Sequence, residues 1–472
     1  MSSSRRIVPP KDRCPAPATA DQSNLLRRAI QWVIDEKTFA DVRRHGNISW
    51  QSSHLVLLAV LTAWSDGEQM TAAFEKAAKL SQRLFGVLAV RTFQGLMRAL
   101  VTYGPQLIPK MWSRLQALMQ QVSPEHYRIG KWLALAVDGS RFTTPRTKSN
   151  EQAFAAKNFG KGKEARSRVK WKNKRKRSKK LCTPVKPQIW MTLIWHMGLK
   201  LPWCWKTGPS TSSERHHFME LLTTQIFPEN TLFCADAGFI GYELWSLILQ
   251  RGYSFLIRVG GNVQLLKNLG RARSRGGVVY LWPHAVMRRR QSPLVLRLIE
   301  VRTARGSMFL VTNVQSERDL SITALKRLYL LRWGIELQFR TIKQTFGRGK
   351  LRSRNADHAV AELEWSLIAL TMIQLLAIRE QLVVEIPPEQ TSVAQAIAAI
   401  RHAIDTWNEP VPKKESLRIM LRNATKDRYQ RTQPKTARYQ PRYKDKPSTK
   451  TPIITNATSV QRSAYHALGT AA

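Results

Sequence analysis

Residues Tyr329–Lys350 read YLLRWGIELQFRTIKQTFGRGK, with polar residues spaced as Tyr329-x2-Arg332-x3-Glu336-x6-Lys343. On a helix turning about 100° per residue, these four positions fall within an arc of roughly 60°. One tyrosine, two cations and one carboxylate then form a single stripe running roughly 21 Å along the axis. The other faces carry Leu331, Ile335, Phe339 and Ile342, which suit packing on a core. The spacing predicts one amphipathic helix from Leu328 to about Phe346, ended by Gly347 and Gly349. Arg332 and Glu336 also stand at i,i+4, and an ordinary surface pair of that kind stabilises a helix by only about 0.2–0.5 kcal/mol. What the stripe is for depends on residues far from it in the chain.

The chain has 472 residues, enough for two or three domains, and its 43% hydrophobic content with 15 Trp and 15 Phe can fill a large core. Lys and Arg number 76 against 32 Asp and Glu, a net charge of +44. A charge of that size argues against an enzyme of neutral metabolites and implies a polyanionic partner, with DNA or RNA first. No basic amphipathic helix or lipidation signal supports a membrane surface instead. Cys14, Cys182, Cys204 and Cys234 are scattered without a C-x-x-C pair, which gives neither a zinc site nor a disulfide framework. Residues 1–25 lack the apolar core of a signal peptide. The apolar run Trp365–Ile378 is short for a bilayer and is interrupted by Ser366, Thr371 and Gln374, so it reads as part of a buried helix over Ala359–Gln381. These features predict a soluble intracellular protein.

Along the chain, 1–22 is Ser-, Pro- and charge-rich and is expected to be disordered, and 23–128 is helical in pattern. Within it, Ala77–Leu100 has the helix, break, helix pattern of a helix-turn-helix, which also occurs in many proteins that bind no DNA. Trp132–Val137 (WLALAV) is a short apolar strand ending at Asp138-Gly139-Ser140. Strands follow over Ile189–Met197 and Leu201–Lys206, a helix over Ser213–Thr224, the strand Thr231–Ala235 (TLFCA) ending at Asp236-Ala237-Gly238-Phe239, a helix over Tyr242–Arg251 and the strand Ser254–Arg258. That order predicts an α/β layer with a mixed sheet over 129–260. Strand signals at Val278–Trp282, Leu294–Val301 and Met308–Asn313 predict a β-rich insertion over 261–320, before the signature helix and core of 321–383. A helical region over 384–422 and a basic, disordered tail over 423–472 complete the chain. Between the first two strands lies a basic loop (157–187), whose 161–180 stretch holds 12 Lys and Arg against one acid, Glu164. Such a loop is free in solution and can still meet phosphates on bound DNA.

Asp138 and Asp236 each end a wholly apolar strand, where an unpartnered carboxylate is costly to desolvate. Each can cap a turn, since Asp before a glycine-containing turn is ordinary. Two strand-end aspartates in one sheet can also converge, and Glu336 on a packed helix can complete the cluster. Three carboxylates from distant elements suit hard cations, Mg²⁺ or Mn²⁺. Two such ions activate an attacking oxygen and stabilise the leaving one in phosphodiester displacement.

Asp138-Gly139-Ser140-x-Phe142, Asp236-Ala237-Gly238-Phe239 and Tyr329-x2-Arg332-x3-Glu336-x6-Lys343 together resemble the three motif regions of DDE transposases of the insertion-sequence-4 family. The resemblance covers roughly 130–380, including the β-rich insertion. It implies a ribonuclease-H-like core with Asp138, Asp236 and Glu336 as ligands of two Mg²⁺ or Mn²⁺ ions. It implies Tyr329, Arg332 and Lys343 as contacts to transposon-end DNA. It implies cut-and-paste transposition in the prokaryotic cytoplasm at the nucleoid, with end and target DNA as partners and at least a homodimer for synapsis. Members that form hairpins place an aromatic of the insertion by a flipped base, and Trp282 is the candidate by composition, beside its reading as a core residue. The basic loop 161–180 departs from the family pattern. The rival readings are a basic DNA-binding protein with structural carboxylates, a defunct transposase, and a ribonuclease-H-like nuclease without strand transfer.

Overall fold

The computed structural model describes residues 19–155, 187–270, 277–303, 306–426 and 451–469, positions 44, 47, 66 and 68 apart. The basic stretch 161–180 and most of the 1–22 and 423–472 segments lie outside the described residues. The strands are β1 (Thr19–Asp21), β2 (Leu133–Thr143), β3 (Gln188–His196), β4 (Leu201–Gly208), β5 (Thr231–Ala235), β6 (Ser254–Val259), β7 (Gln264–Lys267), β8 (Val278–Leu281), β9 (Leu294–Thr303), β10 (Gly306–Thr312), β11 (Pro410–Pro412) and β12 (Ile453–Asn456). All but β1 and β11 form one ten-stranded mixed sheet, ordered β12-β7-β8-β9-β10-β6-β5-β2-β3-β4.

The central strands explain the position of the site. β2, β5 and β6 run parallel, and β3 and β4 return antiparallel beside β2, which is the expected ribonuclease-H-like core. Leu133–Val137 and all of β5 are buried, as suits parallel strands covered on both faces. In the β2–β5 register Ala136 pairs with Cys234. Asp138, inside β2, and Asp236, just past β5, each lie two residues further on, so they stand at the same level and on the same face. Helices Glu214–Thr224 and Tyr242–Gln250 connect the strands around this end.

The 27-residue helix Ala356–Leu382 is longer than its apolar run indicated, and is long and apolar enough to cross a bilayer. Burial accounts for its composition, with 94% of its most apolar window inside the protein. Its interruption at Gln374 is satisfied by reciprocal amide hydrogen bonds with Gln338 of the signature region, at 3.1 and 3.0 Å. The N-terminal helices pack on the same helix, with Trp64 Nε1 donating to the Ala369 carbonyl at 2.8 Å. They share one hydrophobic core with the sheet. Ala77–Leu100 spans the end of helix Met70–Phe85, a left-handed Gly86 and the start of the 30-residue helix Phe93–Val122.

Strands β7–β10 fall within the expected β-rich insertion, and they extend the core sheet, because β10 covers the free edge of β6 in an antiparallel ladder running from Phe309↔Val259 to Thr312↔Leu256. Two expectations are corrected. Residues 19–22 are ordered, since β1 pairs with β11 and Asp21 caps the helix Gln22–Val33. The tail folds over 451–469. There β12 lies parallel on β7, and helix Ser459–Gly469 sets Ala464, Tyr465 and Leu468 against a small cluster of Leu266, Leu269, Tyr280, Trp282 and Val286. The polar composition of the tail hid this short apolar face.

That cluster is separate from the main core, which generates a prediction. Deleting 451–472 uncovers the β7 edge and the cluster, so amide exchange should quicken over 264–269 and 278–281 while β2 and β5 stay protected. Unchanged exchange in the insertion would show that the tail does not support it.

Candidate active site

Asp236 caps the turn after β5, whereas Asp138 lies inside β2, which pairs with β3 on to Thr143 instead of ending at Asp138-Gly139-Ser140 as expected. Asp138 Oδ1 accepts from the Gly139 N–H and Asp236 Oδ1 from the Gly238 N–H, each at 2.8 Å. Burial first, then repulsion from Asp236 and Glu336, raises the Asp138 carboxyl to about 6, against the opposing Gly139 hydrogen bond and the Arg332 guanidinium. The three expected carboxylates therefore share one electrostatic site.

The signature stretch brings Glu336 there through a broken helix. It is built as Ile322–Leu331, a turn at Arg332-Trp333, Gly334–Arg340, and a π-helical turn over Thr341–Thr345, in place of one regular helix. The turn lets the chain cross β3 closely, since a Cβ on Gly334 would lie 2.1 Å from the Trp195 ring. The π turn, closed by Phe346 N–H to the Thr341 carbonyl at 2.8 Å, carries Lys343. Turns of this kind occur often at functional sites and change which way the following side chains face.

The polar stripe faces inward. Tyr329 and Arg332 are buried, and the guanidinium lies over the Tyr329 ring at 5.4 Å while pairing with Glu336 at 3.4 Å. Among the described residues, Arg332 Nε has no hydrogen-bond partner. Lys343 Nζ donates to Ser140 Oγ at 2.6 Å and sits over the Phe142 ring at 5.0 Å, joining the signature to the first motif. Burial lowers the Lys343 pKa, and burial raises that of Tyr329. Leu330, Trp333 and Leu337 are left exposed on the outer face.

Trp282 lies elsewhere. It is 4% exposed, with its indole N–H donating to the Gln291 carbonyl at 2.8 Å, so its reading as a core residue is the right one. The aromatic that stands exposed beside the site is Trp333, over which the Arg332 guanidinium sits at 5.6 Å.

Sequence reasoning missed Glu214, the first residue of helix Glu214–Thr224. Burial raises its carboxyl to about 7, with repulsion from Asp138 and Asp236 adding to the effect and Arg141 opposing it. No motif marks this glutamate, and the only hint is a helix start between the two aspartate strands.

The donor set fits a hard divalent cation. It consists of carboxylate oxygens, and their mutual repulsion is what such an ion offsets. Among the described residues, no three carboxylates or imidazoles converge as the ligands of a bound ion, and Glu336 is turned to Arg332.

Residues 133–372, just over half of the chain, match the family model described as Transposase DDE domain. The chain is 24% identical over 287 residues to the transposase InsG for insertion sequence element IS4 of Escherichia coli strain K12. That match covers 58% of this chain and 59% of the relative, under two thirds of its length. Among solved structures, a cryo-EM structure of the piggyBac transposase synaptic complex with hairpin DNA aligns with a TM-score of 0.39 and 12% identity. The alignment covers 88% of this chain and 87% of that one.

The raised Asp138 carboxyl sets a pH signature. The folded chain holds this proton up to about 6 and the ordinary value is 3.8, so the stability it provides is complete below about 4 and is lost as pH rises through 6. In cation-free buffer Asp138→Asn should therefore stabilise the protein at pH 8 by roughly 1–3 kcal/mol, with the gain vanishing near pH 4. Denaturant unfolding at both pH values measures this, and a gain independent of pH would refute the raised carboxyl.

Proposed function

Because this chain belongs to the family of transposases with a DDE domain, we propose that it is a DNA transposase that cleaves at the ends of a mobile element and transfers the freed strands to target DNA. The observation that carries this reading is the register that sets Asp138 and Asp236 level on neighbouring parallel strands, within electrostatic reach of Glu336. Asp138, Asp236 and Glu336 are the residues that would hold Mg²⁺ or Mn²⁺, in a two-ion arrangement. When bound, such ions supply Lewis-acid activation of the attacking oxygen and stabilise the leaving one.

The protein's own groups position the DNA. Arg332 and Lys343 stand at the two flanks of the carboxylates, one beside Glu336 and one beside Ser140, where a phosphate approaching Asp138 meets cationic donors. Tyr329 is covered by Arg332, so it acts on DNA by holding that guanidinium. The net charge of +44 concentrates DNA at the surface, and the acidic cluster is the exception within it. Two element ends must be brought together for cut-and-paste movement, and a homodimer is the simplest assembly that does so.

The test uses DNA carrying both flanks of the gene, incubated with Mg²⁺ or Mn²⁺ and either wild type or Glu336→Gln, with 3′ ends mapped at nucleotide resolution. Wild type should cut at matching inverted ends and join them to target, and the substitution should lower cutting by roughly 10³-fold or more while DNA binding persists. Cleavage without joining would indicate a nuclease. Binding without cleavage by either protein would leave a DNA-binding or defunct chain.

A further inference from the structure

Glu214 has no role in the triad, yet the fold aims it there. Its helix is fixed against the sheet by Phe218, whose ring centroid lies 5.0 Å from that of Phe233 on β5 and 6.0 Å from that of Phe239. This anchoring lays the first residue of the helix over Gly139 in the middle of β2. A Cβ added to Gly139 would lie 2.5 Å from Glu214 Cγ and 2.8 Å from its Cδ, and one added to Gly238 would lie 4.0 Å from Glu214 Oε2. The side chain thus runs between the glycine after Asp138 and the glycine two places after Asp236, in a space that only glycine at 139 leaves open.

Among the described residues this half-buried carboxylate has no hydrogen bond or ion pair, although its neighbours Arg215, His216 and Glu220 all have partners. The adjoining Trp190 Nε1, 3.0 Å from the same Gly139 Cβ position, is buried and also without a hydrogen-bond partner. A carboxylate held beside two others, with the Arg141 charge in reach but no direct ion pair, is costly unless something absent from the chain completes it. A solvated first-turn acid that only favours the helix dipole would not need a glycine cradle.

Resting on the transposase reading above, we propose that Glu214 is a fourth carboxylate of the cation centre, sharing a divalent ion with Asp138 and Asp236. Glu336 then completes the centre from the opposite part of the sequence, and the fold contributes donors from β2, β5, the helix between them and the signature helix.

The test is Mn²⁺ binding to the full-length protein without DNA, read by electron paramagnetic resonance, with circular dichroism confirming the fold of each variant. Glu214→Gln should weaken binding by about 10-fold or more, as Asp236→Asn does, while Glu214→Asp falls between. Gly139→Ala, which displaces the Glu214 side chain without removing its charge, should weaken binding too. Glu220→Gln, on the same helix, should bind as wild type. Wild-type affinity in Glu214→Gln with loss in Asp236→Asn would overturn the fourth-carboxylate assignment and leave the transposase reading intact. A wild-type protein that binds no Mn²⁺ at millimolar concentration would remove the cation centre itself, and this assignment with it. Should Glu214→Gln misfold, Glu214→Asp and Gly139→Ala decide by the same criterion.

Discussion

The repulsion between the carboxylates of Asp138, inside β2, and Asp236, just past β5, is the constraint around which the rest of the structure is arranged. It follows from the sheet. Parallel strands with Ala136 opposite Cys234 must release their next outward residues side by side, and in this chain both are aspartates. Apolar packing of LALAV and TLFCA on both faces holds the two strands in the core, and their register sets the aspartates level, since a slip of one residue would turn one of them to the opposite face. The acidic cluster is thus a consequence of core packing, and it persists against its own electrostatics.

The surrounding elements serve that arrangement. β10 covers β6, β12 covers β7, and helix Ala356–Leu382 holds the N-terminal helices and the signature region on one core. The reciprocal Gln338–Gln374 bonds fix the signature helix against that core helix two residues after Glu336. A carboxylate on a surface helix would drift with its rotamers. Tied down in this way, Glu336 approaches Asp138 from a rigid support.

Much of this arrangement is legible in the amino-acid sequence. Short apolar runs before Asp138 and Asp236 mark the two strands, although β2 runs on past Asp138 to Thr143 through its pairing with β3, and the alternation of strand and helix marks the mixed sheet. The spacing of Arg332 and Glu336 marks their ion pair. What escapes is set by contacts between distant residues. The break at Arg332-Trp333 comes from the Trp195 ring under Gly334, and the π turn at Lys343 follows the chain's return to Gly349, neither of which local periodicity encodes. Glu214 resembles any first-turn acid, and only the placement of Gly139 and Gly238 around it sets it apart. The tail reads as disordered because a few apolar residues among polar ones bury a face only when β7 and Trp282 are present to receive it.

Arg332 shows how the site can be stable before it is complete. Its guanidinium is buried, one edge meets Glu336, its face covers Tyr329, and its charge lowers the cost of ionising Asp138. It occupies the electrostatic role that a divalent cation would take. On the reading proposed above, an ion held by Glu336 would draw that carboxylate from Arg332, and the guanidinium would then be available to a phosphate. The Arg332–Glu336 pair, unremarkable as an i,i+4 contact worth a few tenths of a kcal/mol on an open helix, gains its importance from the buried guanidinium and its place beside the aspartates.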